Sequence, residues 1–185
     1  MEIRPLVPER VEDYLEFFDH RAFPDNPAWQ SCYCNCLFAD ETIKPWPDYT
    51  LAENRAEVRA RIVRGKMPGF LAYGPDGPIG WLGAGPKRDY PVFAGLAEAE
   101  LEGIGSITCF LVAPSARGQG VARAMLGAAL TAFRSAGLHV AEAYPRPKAL
   151  TAAAMHYGPM GLFLAEGFSL FAEDRDGSVT VRRSL

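Results

Sequence analysis

The spacing of apolar residues divides the chain into short runs of period two and longer stretches of helical period. Residues 2–7, E-I-R-P-L-V, predict a first strand. Pro8 suits the first turn of a helix, where its missing N–H would be unpaired anyway; Val11, Leu15 and Phe18 then share a face that Tyr14 and Phe17 widen, to about His20. Residues 23–49 break the pattern: four prolines surround W-Q-S-C-Y-C-N-C-L-F, a structured excursion rather than regular helix. Thr50 followed by Glu53 forms a capping box, and the helix it opens is stopped by Gly65. Residues 69–73 and 78–83 read as a hairpin around G-P-D-G, followed by a turn-rich stretch and the solvated run A-E-A-E-L-E. Residues 103–113, with I-T-C-F-L-V, predict a buried strand ended by Pro114. A helix comes next, in which Val121, Met125, Ala129 and Phe133 recur at i, i+4, ending at Gly137. The chain closes with a strand at 139–144, a short helix at 159–166 and a strand pair, 168–171 and 178–182, around D-R-D-G. Strands interleaved with helices place the fold in the α/β class.

Composition narrows the function classes. The 185 residues are 49% hydrophobic and 22% charged, which suits one domain over residues 1–185 with no need of staples. A net charge of -3 supplies no basic field, so nucleic acid is not an expected partner. No apolar run reaches membrane-spanning length and the N-terminus is too acidic for a secretion signal, which implies a cytoplasmic chain without a membrane. Cys32, Cys34 and Cys36 lie two residues apart, awkward for bridges and too tight for the usual zinc chelate loops, so reduced, metal-free thiols are expected. Cys109, in the middle of a buried strand, is expected to be inert.

The segment F-L-V-A-P-S-A-R-G-Q-G-V-A joins a buried strand to an amphipathic helix through a turn holding Gly118 and Gly120. The first amides of a helix lack intrahelical partners, the dipole there is positive, and glycine lets an anion approach the backbone. Arg117 adds a fork suited to a phosphate oxygen. The hydrolase phosphate loop is disfavoured, because no Lys-Ser or Lys-Thr follows Gly120, and so is the dinucleotide fingerprint G-x-G-x-x-G, which is not met at Arg123.

At these residues the sequence resembles the GCN5-related N-acetyltransferase (GNAT) superfamily, whose signature [QR]-x-x-G-x-[GA] is matched by Arg117, Gly120 and Ala122. The first helix, the hairpin, the motif strand and helix and the ending G-L-F-L-A-E-G-F fall in the order of that family. A bacterial subgroup is similar in C-x-C (Cys32 with Cys34), G-W-x-x-x-G-P-[KR] (residues 80–87), I-T-C-F (107–110) and E-A-Y-P (142–145). The resemblance implies a mixed six- or seven-stranded sheet that splays beside the motif strand, with helices on both faces. It implies acetyl transfer from acetyl-CoA, as cosubstrate, to an amine of a small acceptor. The pantetheine arm would lie on the backbone of Phe110, Leu111 and Val112, and the pyrophosphate on the amides of Arg117, Gly118, Gln119, Gly120, Val121 and Ala122. A homodimer is compatible with this reading.

For the proton transfers, Glu142 alternates with Val140 and Tyr144 on the strand that diverges in this fold, which makes it the first candidate base, with Glu100 and Glu102 behind it. The family often keeps a tyrosine four residues before the last G-F, but Phe163 stands there, so Tyr157 is the candidate acid. The lost tyrosine also admits a second reading, a noncatalytic acyl-CoA-binding module. Trp29, Tyr33, Trp46 and Trp81 are candidate walls of an acceptor pocket, their alternative being plain core; His156 and the turn Lys87-Arg88-Asp89 read as solvated.

Overall fold

The computed structural model describes residues 1–39, 42–147, 155–175 and 177–185; the D-R-D-G turn includes Asp176, which lies outside them. Seven strands form one sheet: β1 (Glu2–Pro5), β2 (Gly69–Gly74), β3 (Gly77–Pro86), β4 (Ile104–Val112), β5 (Val140–Ala143), β6 (Ser169–Glu173) and β7 (Val179–Ser184), in the order β1-β2-β3-β4-β5-β7-β6. Only β4 and β5 run parallel. Two helices, α1 (Val11–Glu16) and α2 (Leu51–Val63), pack on one face through Tyr14, Leu15, Val58 and Ile62. On the other face α3 (Val121–Ser135) and α4 (Met160–Ala165) bury Met125, Leu130, Phe133 and Phe163. This is the mixed, helix-flanked sheet that the resemblance implied.

Local chemistry accounts for the parts that position the site. The helix expected from Pro8 begins as a 3-10 turn and ends as a wide turn in which Ala22 N–H reaches Phe17 O at 2.9 Å. The extra residue in that turn brings the adjacent Phe17 and Phe18 both into the core. The excursion after it is built of 3-10 turns around Tyr33 and Cys34, whose φ values of 45° and 52° are left-handed. Such backbone costs about 1–2 kcal/mol per residue. Side-chain bonds offset it: Tyr14 Oη donates to Tyr33 O at 2.8 Å, Asn35 Nδ2 to Asn54 Oδ1 at 2.9 Å, and Asn54 Nδ2 to Ser31 O at 2.9 Å. The capping box is formed in full, with Glu53 N–H on Thr50 Oγ1 and Thr50 N–H on the Glu53 carboxylate.

Two irregularities in β4 open the sheet at its centre. Opposite β3, Cys109 pairs with Gly83 but Ile107 with Ala84, so Thr108 is the extra residue of a β-bulge. The bulge changes which residues face which helices: Ile107 and Phe110 look toward α3, Cys109 toward α1 and α2. On its other side β4 pairs with β5 only from Ile104 to Ile107. Beside 108–112 the edge of β4 has no strand partner, and a gap opens there.

Candidate active site at the gap between β4 and β5

On the α3 side of β4 lies a cleft of about 530 Å³ lined by Phe110, Val112, Arg117, Gly118, Gly120, Val121 and Ala122. Gly118 and Gly120 are left-handed, at φ 74° and 79°, and a Cβ on either would meet nothing within 4 Å, so the turn is open to a ligand. The first intrahelical bond of α3 runs from Ala124 N–H to Gly120 O, which leaves the amides of Val121, Ala122 and Arg123 at the helix start, with no acidic residue in the first turn. That is an anion site. Gln119 secures the turn by donating from Nε2 to Ser115 O at 2.9 Å.

Two expectations for this cleft need correction. Arg117 does not present a free fork: its Nε donates to Val112 O at 3.1 Å and its terminal nitrogens hold the Asp25 carboxylate, the nearer at 2.5 Å. Both side chains of that pair are about two-fifths exposed (40% and 43%), so the pair is weak and a doubly charged phosphate ester can compete for the guanidinium. Nor is the backbone of β4 uniformly open. Phe110 N–H donates to His156 O at 2.5 Å, while Leu111, between the gap-facing Phe110 and Val112, turns its backbone toward Trp81 of β3.

On the opposite face a second cleft, of about 280 Å³, is lined by Thr108, Cys109 and Leu111 of β4, by Cys32, Cys34 and Cys36, and by Trp29, Trp46, Arg146, His156 and Tyr157. Cys34 Sγ lies 3.1 Å from Cys109 Sγ. Thiol-to-thiol hydrogen bonding, together with burial, pushes the Cys32 pKa up to about 12 and raises those of Cys34 and Cys36. For Cys109 the bond with Cys34 favours the thiolate, but burial together with the neighbouring Cys32 and Cys36 opposes it, and the net direction is also up. The cysteine wall is therefore neutral at pH 7. Among the described residues no cluster of His, Cys, Asp or Glu is arranged to hold a metal. Trp29 and Trp46 are walls as expected, whereas Tyr33 and Trp81, each 1% exposed, belong to the core.

Residues 155–159 run between the two clefts, Met155 and Pro159 lining the first, His156 and Tyr157 the second. The His156 ring is 5.0 Å from Trp29 and 4.1 Å from Tyr157, and the Arg146 guanidinium lies 4.8 Å over Tyr157. Burial raises the Tyr157 pKa against the lowering effect of Arg146, which keeps the phenol protonated. The segment is seated by Gly158, at φ 90°, where a Cβ would stand 2.8 Å from Phe163 and 2.9 Å from Phe110. Gly158→Ala combines left-handed strain with overpacking, and a loss of about 2–4 kcal/mol is expected in urea denaturation. A change within about 0.5 kcal/mol would place the segment elsewhere.

Glu142, expected as the base, lines neither cleft. It is 1% exposed, with Lys87 Nζ 2.6 Å from one carboxylate oxygen and Arg182 2.6 Å from the other, and Tyr144 Oη donates to it at 2.6 Å. Burial alone would raise its pKa, but the bonds from Lys87, Tyr144 and Arg182 hold it below the ordinary value. A carboxylate so engaged has no lone pair directed at an acceptor amine. Lys87, expected in a solvated turn, is buried as its partner. Glu100 and Glu102 are exposed and also outside both clefts. Phe163 is fully buried against Phe110 and Phe168. His156 and Arg146 are the site residues that the sequence left unassigned, since nothing local distinguishes them from surface polar residues.

The model of the Acetyltransferase (GNAT) family matches residues 11–159. No curated protein matches the sequence. Among solved structures, the chain is similar to the GNAT domain of S. lividans PAT, with TM-score 0.63 and 19% identity over 99% of this chain and 89% of that one. It is similar to the PaiA N-acetyltransferase of Thermoplasma acidophilum in complex with coenzyme A, with TM-score 0.59 and 14% identity over 100% of both chains. A third is the phosphinothricin acetyltransferase of Sinorhizobium meliloti in complex with AcCoA, with TM-score 0.58 and 18% identity over 100% of this chain and 88% of that one. At these identities the likeness is one of fold. No helix among the described residues is long and apolar enough to cross a membrane.

Proposed function

The chain belongs to the GNAT family of acetyltransferases, and from that premise we propose that it moves the acetyl group of acetyl-CoA onto an amine of a small acceptor by direct attack. The observation that carries this reading is the pair of clefts on opposite faces of β4, flanking the stretch of that strand that β5 leaves unpaired. The anion site at α3 suits the pyrophosphate of acetyl-CoA, and coenzyme A or acetyl-CoA accompanies two of the similar structures. With the His156 carbonyl displaced from this edge of β4, a thioester would have a path from the first cleft to the second. An arm bonded to Phe110 N–H would take the place of the His156 carbonyl; that amide, two residues past the bulge, is then a donor for the thioester oxygen as charge develops on it.

In the second cleft the acceptor nitrogen attacks the acetyl carbon. The C–N bond forms, the C–S bond breaks, and one proton leaves the nitrogen while the sulfur gains one. No carboxylate lines this cleft among the described residues, so we assign the base to the His156 imidazole and the acid to the Tyr157 hydroxyl beside it. Glu142 holds strands together instead. His156→Gln is expected to lower kcat by about 10²–10⁴, with acetyl-CoA affinity retained. Tyr157→Phe is expected to cost less, because a thiolate is already a tolerable leaving group with a pKa of roughly 8.5. Mass spectrometry of the products tests the reading. Acetyl-CoA alone should leave the protein mass unchanged, and an amine panel should yield N-acetyl products. Tight acetyl-CoA binding with no transfer would make the chain an acyl-CoA-binding module, and wild-type turnover in His156→Gln would move proton removal to solvent.

A further inference from the structure

The cleft on the cysteine side of β4 has an unusual charge balance for a pocket that must receive an amine. Its apolar walls are Phe23, Trp29, Leu37, Trp46 and Leu111, and its four thiols are neutral. Among the described residues no Asp or Glu lines it, and its one permanently charged group is the Arg146 guanidinium, which is exposed at the rim. Arg146 makes no ion pair with a described carboxylate; it rests on the Tyr157 ring. A pocket built for a polyamine or another multiply cationic acceptor would carry carboxylates, since each extra ammonium entering a poorly solvated space needs a counter-charge. This one offers the opposite sign.

We propose that the acceptor is a small amine with a compact apolar or aromatic body and a carboxylate or similar anionic group, and that Arg146 is the residue that selects that anion. The volume of about 280 Å³ suits a body of that size. With the anion on the guanidinium and the apolar body against Trp29 and Leu111, the far end of the molecule is directed into the cleft toward the bulge at Thr108 and Cys109. On the acetyl-transfer reading, that is where the thioester would enter, beside the stretch of β4 that β5 leaves unpaired. Planar, always charged and already held over an aromatic ring, Arg146 can present two parallel donors to a carboxylate, which an alkylammonium in its place cannot.

This inference rests on the acetyl-transfer reading for the direction of the amine, but its binding half can be tested without turnover. Calorimetric titration of the full chain with phenylacetate and with phenylacetamide compares one shape with and without charge. Phenylacetate is expected to bind about tenfold more tightly to the wild type. That preference should fall below about twofold in Arg146→Gln and return in part in Arg146→Lys. Benzylphosphonate, used as a second anion, should also exceed the amide, and the tighter of the two anions identifies the group selected. In the transfer assay, 4-(aminomethyl)benzoate, whose amine lies at the end opposite its carboxylate, should outcompete 4-(aminomethyl)benzamide, again dependent on Arg146. Equal binding of acid and amide, binding of neither, or a preference that survives Arg146→Gln overturns the proposal. If phenylacetate is preferred and no amine of any kind is acetylated, the anion site stands and the acetyl-transfer reading falls.

Discussion

Glu142→Gln is expected to cost the folded protein about 3–5 kcal/mol at pH 7, since it leaves the buried Lys87 ammonium without its counter-charge. The carboxylate joins the end of β3, through Lys87, to β5 and β7, through Arg182, beside the gap that separates β4 from β5. Its pKa in the folded chain lies below the ordinary value of 4.5, so the folded state gains over the unfolded one where the group is ionised. The stability it supplies is therefore complete above pH 4.5 and is lost as the pH falls through the lowered folded value. Urea denaturation of wild type and variant should show a wide difference at pH 7 that narrows on acidification. Lys87→Met combined with Glu142→Leu should recover part of the loss, because removing both charges spares both desolvation penalties. A Glu142→Gln protein as stable as the wild type but without turnover would return Glu142 to the role of base.

Gly120→Glu is expected to weaken acetyl-CoA binding by at least about a hundredfold, because it stands a carboxylate at a helix start shaped for phosphate. A Cβ at Gly120 would meet nothing within 4 Å, but φ of 79° imposes strain on any residue that carries one. Gly120→Ala carries the same strain without the charge and separates the two effects. It should lose about 1–2 kcal/mol of stability and keep most of its affinity. Arg117→Ala should cost less than Gly120→Glu, since the guanidinium begins in a pair with Asp25 and gains only the difference between two anions. Thermal shift at saturating acetyl-CoA reads all three variants. Equal stabilisation of the wild type and Gly120→Glu would remove the cofactor from this cleft.

How much of the fold and site was legible in the chain depends on whether the determinant is local. The capping box at Thr50, the hairpin of β2 and β3 and the glycine turn before α3 are set by neighbouring residues, and each formed where the pattern placed it. The bulge at Thr108 is a property of register against β3, so the run I-T-C-F-L-V reads as an unbroken strand although its side chains change face midway. For Glu142, alternation along its strand says nothing of Lys87 and Arg182, which come from distant elements, and without them a buried structural carboxylate looks like a base. The aromatic residues show the same limit. Trp29 and Trp46 line the cleft while Trp81 and Tyr33 fill the core, and for Tyr33 it is the left-handed turn shared with Cys34 that decides.

A crystal structure of the chain with acetyl-CoA tests the central claim most directly, because it locates the pyrophosphate and the thioester at once. The pyrophosphate should lie within hydrogen-bond distance of the amides of Gly118 to Ala122. The thioester should stand at the open edge of β4, with the His156 carbonyl withdrawn from Phe110 N–H and the acetyl group facing the cleft of Cys109, His156 and Tyr157. A pyrophosphate bound away from the start of α3, or an acetyl group on the α3 side of β4 with the His156–Phe110 bond intact, would contradict it.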